Sequence, residues 1–164
     1  DDWSAAKDFY ARAGAIVPDD PNVTGGYQLA TEINRLQRQL TDILDNPDRM
    51  ASETVANDAA EQATKAQGIA DLSPSLARMA QDVTHLVESY AQKVSIRILS
   101  DGVTRISVRG VGQVGVTTDR TIELRPGSYI FEGTRAGFRS KLITVDVPPG
   151  TEGLTLEIYP DEPV

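Results

Sequence analysis

The side chains that most often carry out acid–base or metal chemistry are scarce in this sequence. There is one histidine, His85, and no cysteine, which excludes disulfides, thiolate catalysis and cysteine-ligated metal sites. Asp82 and Glu88 lie three residues before and after His85, a spacing that brings both carboxylates near the imidazole on a helix. Such a group could form a weak metal site, but it is more typical of ion pairs on a solvated helix. We therefore predict no metal ion, no other cofactor and no enzymatic activity.

One glycine-rich segment resembles a nucleotide-binding loop. Residues 110–115 read Gly-Val-Gly-Gln-Val-Gly and so match the dinucleotide fingerprint. That fingerprint needs a helix directly after the loop, because the helix N-terminus holds the pyrophosphate. Residues 116–124 continue instead with alternating, strand-like residues. We therefore predict a glycine-rich hairpin.

Arginine is concentrated in the second half of the chain. Residues 94–164 hold 8 basic residues, of which 7 are arginine. Arg105 and Arg109 share a face because the side chains of a strand alternate with a period of two, and we expect Arg97 to lie opposite them across a hairpin. We predict that Arg97, Arg105, Arg109 and Tyr129 contact a partner, the arginines binding carboxylates. The alternative, an ordinary solvated sheet face, stays open.

Two further functions are open to the second half. A hydrolase would need two acids that converge in a pocket, such as Glu123 and Glu132. A carbohydrate-binding module would need exposed aromatic rings to stack on sugars, and only four aromatic residues occur there. By alternation, Tyr129 shares a face with Phe131, as expected of core residues. The net charge of −8 argues against binding to nucleic acid.

The first half has the signals of a helical bundle. A capping residue followed by proline, which marks a helix start, occurs at Asp20-Pro21, Asn46-Pro47 and Ser73-Pro74. Apolar residues recur at spacings of three and four in the second and fourth segments and form one apolar seam on each. The seams are Leu29, Ile33, Leu36, Leu40 and Ile43 in the second segment, and Leu72, Leu76, Met79, Val83, Leu86 and Tyr90 just before and through the fourth. We predict four helices in an antiparallel bundle, over residues 3–16, 21–45, 47–70 and 74–92. If the four helices cannot enclose these seams, the seams would pair with a second copy.

The second half has the signals of a small sandwich. Valine, isoleucine and threonine alternate with polar residues, and turn signals recur about every ten residues. We predict seven short strands in an antiparallel β-sandwich, near residues 94–99, 103–109, 113–117, 120–124, 128–135, 139–147 and 153–159. The fold class is therefore α+β, with a helical domain over residues 1–93 and a β domain over residues 94–164.

Charge follows the same division. Residues 1–93 hold 15 acidic against 8 basic residues, whereas residues 94–164 hold 9 against 8. The net charge is thus −7 on the helical half and −1 on the β half, and an anionic partner is expected on the β half. The sequence contains no run of about 18 apolar residues, so it predicts no membrane span. Because the chain begins Asp1-Asp2-Trp3, we expect a mature product or a fragment, with any signal or anchor preceding Asp1.

The first helix resembles half of a tetratricopeptide repeat. Ala6, Tyr10, Ala13, Ile16 and Pro18 reproduce the small, aromatic, small, aliphatic and proline spacing with which that repeat closes. The resemblance covers about 18 residues, or half a repeat, and implies that the chain begins inside or just after a helical-repeat array.

The β half, about residues 94–160, resembles a PEGA domain, a small β-sandwich of bacterial and archaeal envelope proteins. The resemblance lies in Ser100-Asp101-Gly102, in residues 112–117, in Leu124-Arg125-Pro126-Gly127-Ser128-Tyr129 and in Ala136-Gly137-Phe138. Asp101 and Thr118 occupy positions where the family usually has proline.

The two resemblances together imply a role in contacts between macromolecules. The PEGA family is regarded as non-catalytic, so no catalytic residue is implied. We expect an interaction or scaffold module of an envelope protein, periplasmic or on the cell surface, with a protein partner. The alternative is a module that binds carbohydrate or cell-wall glycan, and self-association through the helical half is a further expectation.

Overall fold

The computed structural model describes all residues from Asp1 to Val164, and the α+β class with N-terminal helices is confirmed. The α-helices are α1 (Trp3–Ile16), α2 (Pro21–Asp45), α3 (Glu53–Gln67) and α4 (Pro74–Ala91). Two short 3-10 helices, Pro47–Ala51 and Ala70–Leu72, flank α3. None of the helices combines the length and hydropathy needed to cross a lipid bilayer.

Two of the three predicted helix caps form, and the third does not. The Asp20 carboxylate accepts hydrogen bonds from the backbone N–H groups of Asn22 (2.8 Å) and Val23 (3.3 Å), with Pro21 at the first position of α2. Asn46 instead turns back and donates to the Asp42 carbonyl at 2.8 Å, leaving the next turn uncapped. The predicted helix 47–70 is therefore a 3-10 turn followed by a shorter α3.

The residues of the two predicted seams are buried or half-buried, except Leu72. The buried residues come from one face of each of α2, α3 and α4: Ala30, Ile33, Leu36, Leu40, Ala56, Ala59, Ala63, Ala66, Leu76, Ala80 and Val83. The small side chains of α3 let its backbone approach its neighbours closely. Leu72, at the start of the seam of the fourth segment, stays 51% exposed, and pairing of a seam with a second copy stays a prediction.

The second half forms two sheets. Its strands are β1 (Val94–Leu99), β2 (Arg105–Val108), β3 (Gly112–Val116), β4 (Asp119–Leu124), β5 (Gly127–Thr134), β6 (Lys141–Val147) and β7 (Leu154–Glu157). Sheet I has the order β4-β1-β7 and sheet II the order β3-β2-β5-β6. All pairs are antiparallel except β1 with β7, which run parallel. The wholly antiparallel prediction is wrong at this pair, because the chain leaves β6 in sheet II and enters sheet I at the free edge of β1.

The two sheets share a single apolar core. Its fully buried members are Ile96 and Ile98 of β1, Ile106 of β2 and Phe131 of β5, with Ile158 after β7. The predicted alternation along β1 and β2 is confirmed. The contacts between residues divide the chain into two compact units, the helical unit Asp1–Glu88 and the β unit Ser89–Val164.

Candidate functional site

Arg97 does not lie with the other predicted contact arginines. It is on the outer face of β1 in sheet I, where its guanidinium makes three hydrogen bonds to Asp119. Nε donates to Oδ1 at 3.0 Å and to Oδ2 at 3.2 Å, and Nη2 donates to Oδ2 at 2.5 Å. These bonds raise the pKa of Arg97 and lower the pKa of the Asp119 carboxyl. The expectation that Arg97 faces Arg105 across a hairpin is wrong, because the turn after β1 carries the chain into the other sheet.

Arg105 lies on the outer face of β2, and Arg109, the first residue after β2, lies on the same side of sheet II, as predicted. Arg105 lies between Val116 of β3 and Thr134 of β5 in the strand register, and its guanidinium has no hydrogen-bond or ion-pair partner. The Nε atom of Arg109 lies 3.3 Å from Oε2 of Glu132. Sheet II thus presents one unpaired guanidinium, that of Arg105, and one that forms an ion pair with a carboxylate, that of Arg109.

Aliphatic side chains accompany these arginines on the same face. Val116 is 52% exposed, Leu142 51% and Ile130 37%. The Arg109 backbone N–H donates to the Ile130 carbonyl at 2.9 Å, which places the two residues side by side. The outer face of sheet I carries no exposed large apolar residue. We call the group Arg105, Arg109, Val116, Ile130, Glu132 and Leu142 the arginine face.

Tyr129 belongs to the other side of sheet II. Its ring packs against the core, and its hydroxyl donates to the Arg125 carbonyl at 2.8 Å. Burial raises the pKa of this phenol, and the charge of Arg125 partly opposes the rise. The structure therefore separates Tyr129 from the arginine face and gives it a structural task, which is to hold the turn at Pro126-Gly127.

The remaining aromatic residues of the β unit form no stacking platform. Phe131 and Tyr90 are buried, and Phe138 is half-buried with the Arg135 guanidinium 4.6 Å from its ring centroid. Tyr159 alone is largely exposed, at 43%.

The residues considered for catalysis, metals and nucleotides do not assemble a site. Glu123 lies on the outer face of sheet I and Glu132 on the outer face of sheet II, so the two carboxylates do not converge. Nδ1 of His85 lies 3.6 Å from Oε2 of Glu88 on an exposed helix face, and no three His, Cys, Asp or Glu side chains are grouped to hold a metal. Residues 110–115 form the β2–β3 hairpin and no helix follows them, as predicted.

Sequence reasoning missed the importance of Asp101, in the turn between the sheets. One carboxylate oxygen accepts from the N–H groups of Val103 (3.0 Å) and Thr104 (2.8 Å). The other accepts from the buried Thr104 hydroxyl at 2.9 Å and the Arg135 guanidinium at 3.2 Å.

Desolvation alone would raise the pKa of Asp101, but these hydrogen bonds and the Arg135 charge lower it to about 2. The Asp-Gly pair after β1 could have predicted this role, since an aspartate side chain readily accepts hydrogen bonds from the N–H groups of a following turn. Asp101 thus constrains the turn that carries the chain from sheet I to sheet II.

Comparison with known proteins adds no identification: no protein-family model matches the sequence, and no curated protein matches it significantly.

Proposed function

We propose that this chain is a non-catalytic interaction module, a helical unit joined to a PEGA-like β-sandwich, that binds a protein partner through the arginine face. One observation carries the proposal. Unpaired Arg105 and partly engaged Arg109 lie on the same face as three exposed aliphatic side chains, while the opposite sheet has no such combination.

The chemistry of that face suits a protein with carboxylates. Arginine is enriched at protein interfaces because its planar guanidinium forms two directed bonds to a carboxylate and is weakly hydrated. Arg105 begins β2 and Arg109 directly follows its end, so the two residues are about 13 Å apart at 3.3 Å per residue. Val116, Ile130 and Leu142 add apolar area that a partner would remove from water. A partner with acidic side chains around an apolar patch therefore fits.

Binding to cell-wall glycan has weaker support. Sugar-binding faces use exposed, adjacent rings, whereas Tyr129 and Phe131 face the core and Phe138 lies under Arg135. We therefore favour a protein partner over a glycan. The envelope location rests on the PEGA resemblance of residues 124–129, and fractionation of the source cells with an antibody to the chain tests it.

Site-specific photo-crosslinking tests the proposal. A benzophenone amino acid replaces Ile130 on the arginine face or, as the control, Thr155 on the outer face of sheet I, which is also exposed. After irradiation of the source cells, we expect a protein adduct from position 130 and none from position 155.

The substitution Arg105→Glu should remove the adduct at position 130, whereas Arg78→Glu, the same charge change on the exposed part of α4, should not. Equal adducts at 130 and 155, or none at either, would contradict the proposal. Retention of the purified chain on isolated cell wall, reversed by Arg105→Glu, would favour the glycan alternative instead.

A further inference from the structure

We infer that β6, the edge strand of sheet II, pairs with the β6 strand of a second copy of this chain. The two strands run antiparallel about a two-fold axis at Thr144, so that two four-stranded sheets become one continuous sheet. This inference goes beyond the proposed function, because it rests on backbone groups at the edge of the sheet and not on the guanidinium groups of its face.

Alternate residues of β6 have backbone groups that no strand of the β unit satisfies. The Arg109 N–H donates to the Ile130 carbonyl, so the even-numbered residues of β5 bond to β2 and the odd-numbered ones bond to β6. Their partners in β6 are also odd-numbered. The N–H and C=O groups of Leu142, Thr144 and Asp146 therefore point away from β5, toward the open edge of the sheet. All three residues are exposed.

The middle of β6 lacks the features that keep a free edge from pairing. Such features are short strands, bulges, charged side chains and proline. β6 pairs with β5 over seven residues without a bulge and contains no proline. Its charged residues are Lys141, which forms an ion pair with Asp161 at 3.1 Å, and Asp146. The uncharged residues Leu142–Val145 lie between them and are available to another strand.

The other three sheet edges each carry at least one protective feature. β7 has only four residues. β3 is interrupted by a bulge, and the Arg120 guanidinium donates to the Val114 carbonyl of that strand. β4 exposes charged side chains along its length, those of Asp119, Arg120 and Glu123. β6 is therefore the edge at which strand addition is least hindered.

The open backbone groups require an extended strand as the partner, and β6 itself fits this requirement. Donors and acceptors at every second residue match the backbone of another strand. When Thr144 lies opposite Thr144 of the second copy, Leu142 lies opposite Asp146. All three open residues of each copy are then paired and exchange about six hydrogen bonds. A register shifted by two residues leaves one open residue of each copy without a partner in β6.

The side chains agree with this register. On the core side, Ile143 of each copy lies beside Val145 of the other, and both residues are only half-buried in one chain. On the outer side, the two Thr144 side chains are opposite each other, and such cross-strand pairs stabilise antiparallel sheets. The two Asp146 residues lie four positions apart along the strands, about 13 Å. That separation exceeds the Debye length of about 8 Å at physiological salt, so their repulsion is small.

This pairing produces a closed and weak dimer. It is closed because each chain has one such edge and the two-fold axis uses both. It is weak because seven residues on each side are far fewer than the roughly 20 to 30 of a standard interface. We expect a dissociation constant between about 10 μM and about 1 mM. The two arginine faces then lie on the same side of the continuous sheet.

Sedimentation velocity of the purified chain, from about 10 μM to about 2 mM, tests the inference. We expect the average mass to rise from that of the monomer to that of the dimer and no further. Thr144→Lys should weaken association at least tenfold, because like charges directly opposite each other destabilise a strand pair. Thr155→Lys is the matched control, the same change at an exposed threonine of β7, and it should associate like the unmodified chain.

Mixing two charge variants tests the register. Thr144→Lys and Thr144→Glu should each be largely monomeric alone, because identical charges meet at the two-fold axis. An equimolar mixture should form a heterodimer, since the lysine of one chain then lies opposite the glutamate of the other. Circular dichroism of each variant verifies that the fold is retained, so that lost association reports on the edge.

Nuclear magnetic resonance of the unmodified chain gives a test that needs no substitution. The backbone N–H signals of Leu142, Thr144 and Asp146 should shift with concentration as they gain hydrogen bonds, and that of Thr155 should not. A monomer at every concentration, equal association of Thr144→Lys and Thr155→Lys, a mixture that does not associate, or constant signals at the three residues would overturn the inference.

Failure of this inference is separable from failure of the proposed function. Arg105→Glu should leave the dimer unchanged, because Arg105 lies two strands away from β6. If the chain stays monomeric while position 130 crosslinks to a different protein in cells, the inference falls and the proposed function stands. If the chain dimerises through Thr144 while position 130 crosslinks to no protein, the proposed function falls and the inference stands.

Discussion

Gly26 of α2 lies directly beneath the ring of Tyr10 of α1. A Cβ atom added at Gly26 would lie 2.3 Å from the Cε1 and Cζ atoms of that ring, well inside van der Waals contact. The glycine pair at 25–26 is unfavourable for helix formation by about 1 kcal/mol per residue, yet α2 runs through it without a break. The cost is offset by the close approach of the two helices, which brings Tyr10 against the α2 backbone.

Gly26→Ala should therefore destabilise the helical unit, although alanine favours helices. We expect a net loss of about 1 to 3 kcal/mol, because the ring must move or the helices must separate. Urea unfolding followed by circular dichroism measures it. Gly25→Ala is the control: no atom lies within 4 Å of its added Cβ, so it should stabilise by up to about 1 kcal/mol. Equal effects of the two substitutions would argue against the contact.

The carboxylate of Asp101 should make the β unit sensitive to acid. Its pKa is lowered to about 2 in the folded chain, below an ordinary value of about 3.9. A lowered folded pKa stabilises the fold above the unfolded pKa, and this contribution is lost as the pH falls from about 4 to about 2. Asp101→Asn should remove it while retaining one acceptor oxygen in the turn.

We expect the stability of the unmodified chain to fall more steeply over that range than the stability of Asp101→Asn. Thermal unfolding at a series of pH values measures the difference. Asp146→Asn, an exposed aspartate on β6, is the matched control. Parallel curves for Asp101→Asn and the unmodified chain would show that the turn does not depend on the charge.

Local sequence patterns predict which side chains face inward, but not which sheet a strand joins. The alternation of side chains along a strand correctly predicted that Ile96 and Ile98 face inward and Arg97 faces outward, since alternation is a local property of a strand. Whether Arg97 meets Arg105 depends on which strands pair. Residues far apart in the chain decide that pairing, because β4 pairs with β1 while β5 pairs with β2. The parallel β1–β7 pair escaped prediction for the same reason.

The site was predictable only in part, again for physical reasons. The shared face of Arg105 and Arg109 follows from spacing alone. The aliphatic residues beside them come from three other strands, so no single stretch of sequence contains the arginine face. Alternation grouped Tyr129 with the core residue Phe131, and its inward position shows that this local signal was a better guide than its aromatic character.

Tyr129→Phe should separate stability from binding. The phenylalanine ring fills the same space but cannot donate to the Arg125 carbonyl, so the β unit should lose about 0.5 to 1.5 kcal/mol. Photo-crosslinking from position 130 should stay unchanged, because Tyr129 faces away from the arginine face. Reduced crosslinking with unchanged stability would instead return Tyr129 to the contact surface.

Ser73 and Ser52 precede helices in similar sequence positions but differ in what their hydroxyls do. Ser73 is fully buried. Its hydroxyl oxygen accepts from the Leu76 backbone N–H at 3.3 Å, and the hydroxyl donates to the Asp1 carboxylate. Ser52 is exposed before α3 and makes no capping bond with its side chain.

Ser73→Ala should therefore destabilise the helical unit by about 1 to 2 kcal/mol, because it removes a cap and leaves a buried N–H without that acceptor. Ser52→Ala should change stability by less than about 0.5 kcal/mol. Urea unfolding of both variants, followed by circular dichroism, measures the contrast. Removing Asp1 from the Ser73→Ala chain should cost little more, because the Ser73 hydroxyl that binds its carboxylate is already gone. The remaining bond of that carboxylate, from Trp3 Nε1 at 3.2 Å, is exposed and joins residues close in the chain. A large additional loss would mean that this bond also stabilises the unit.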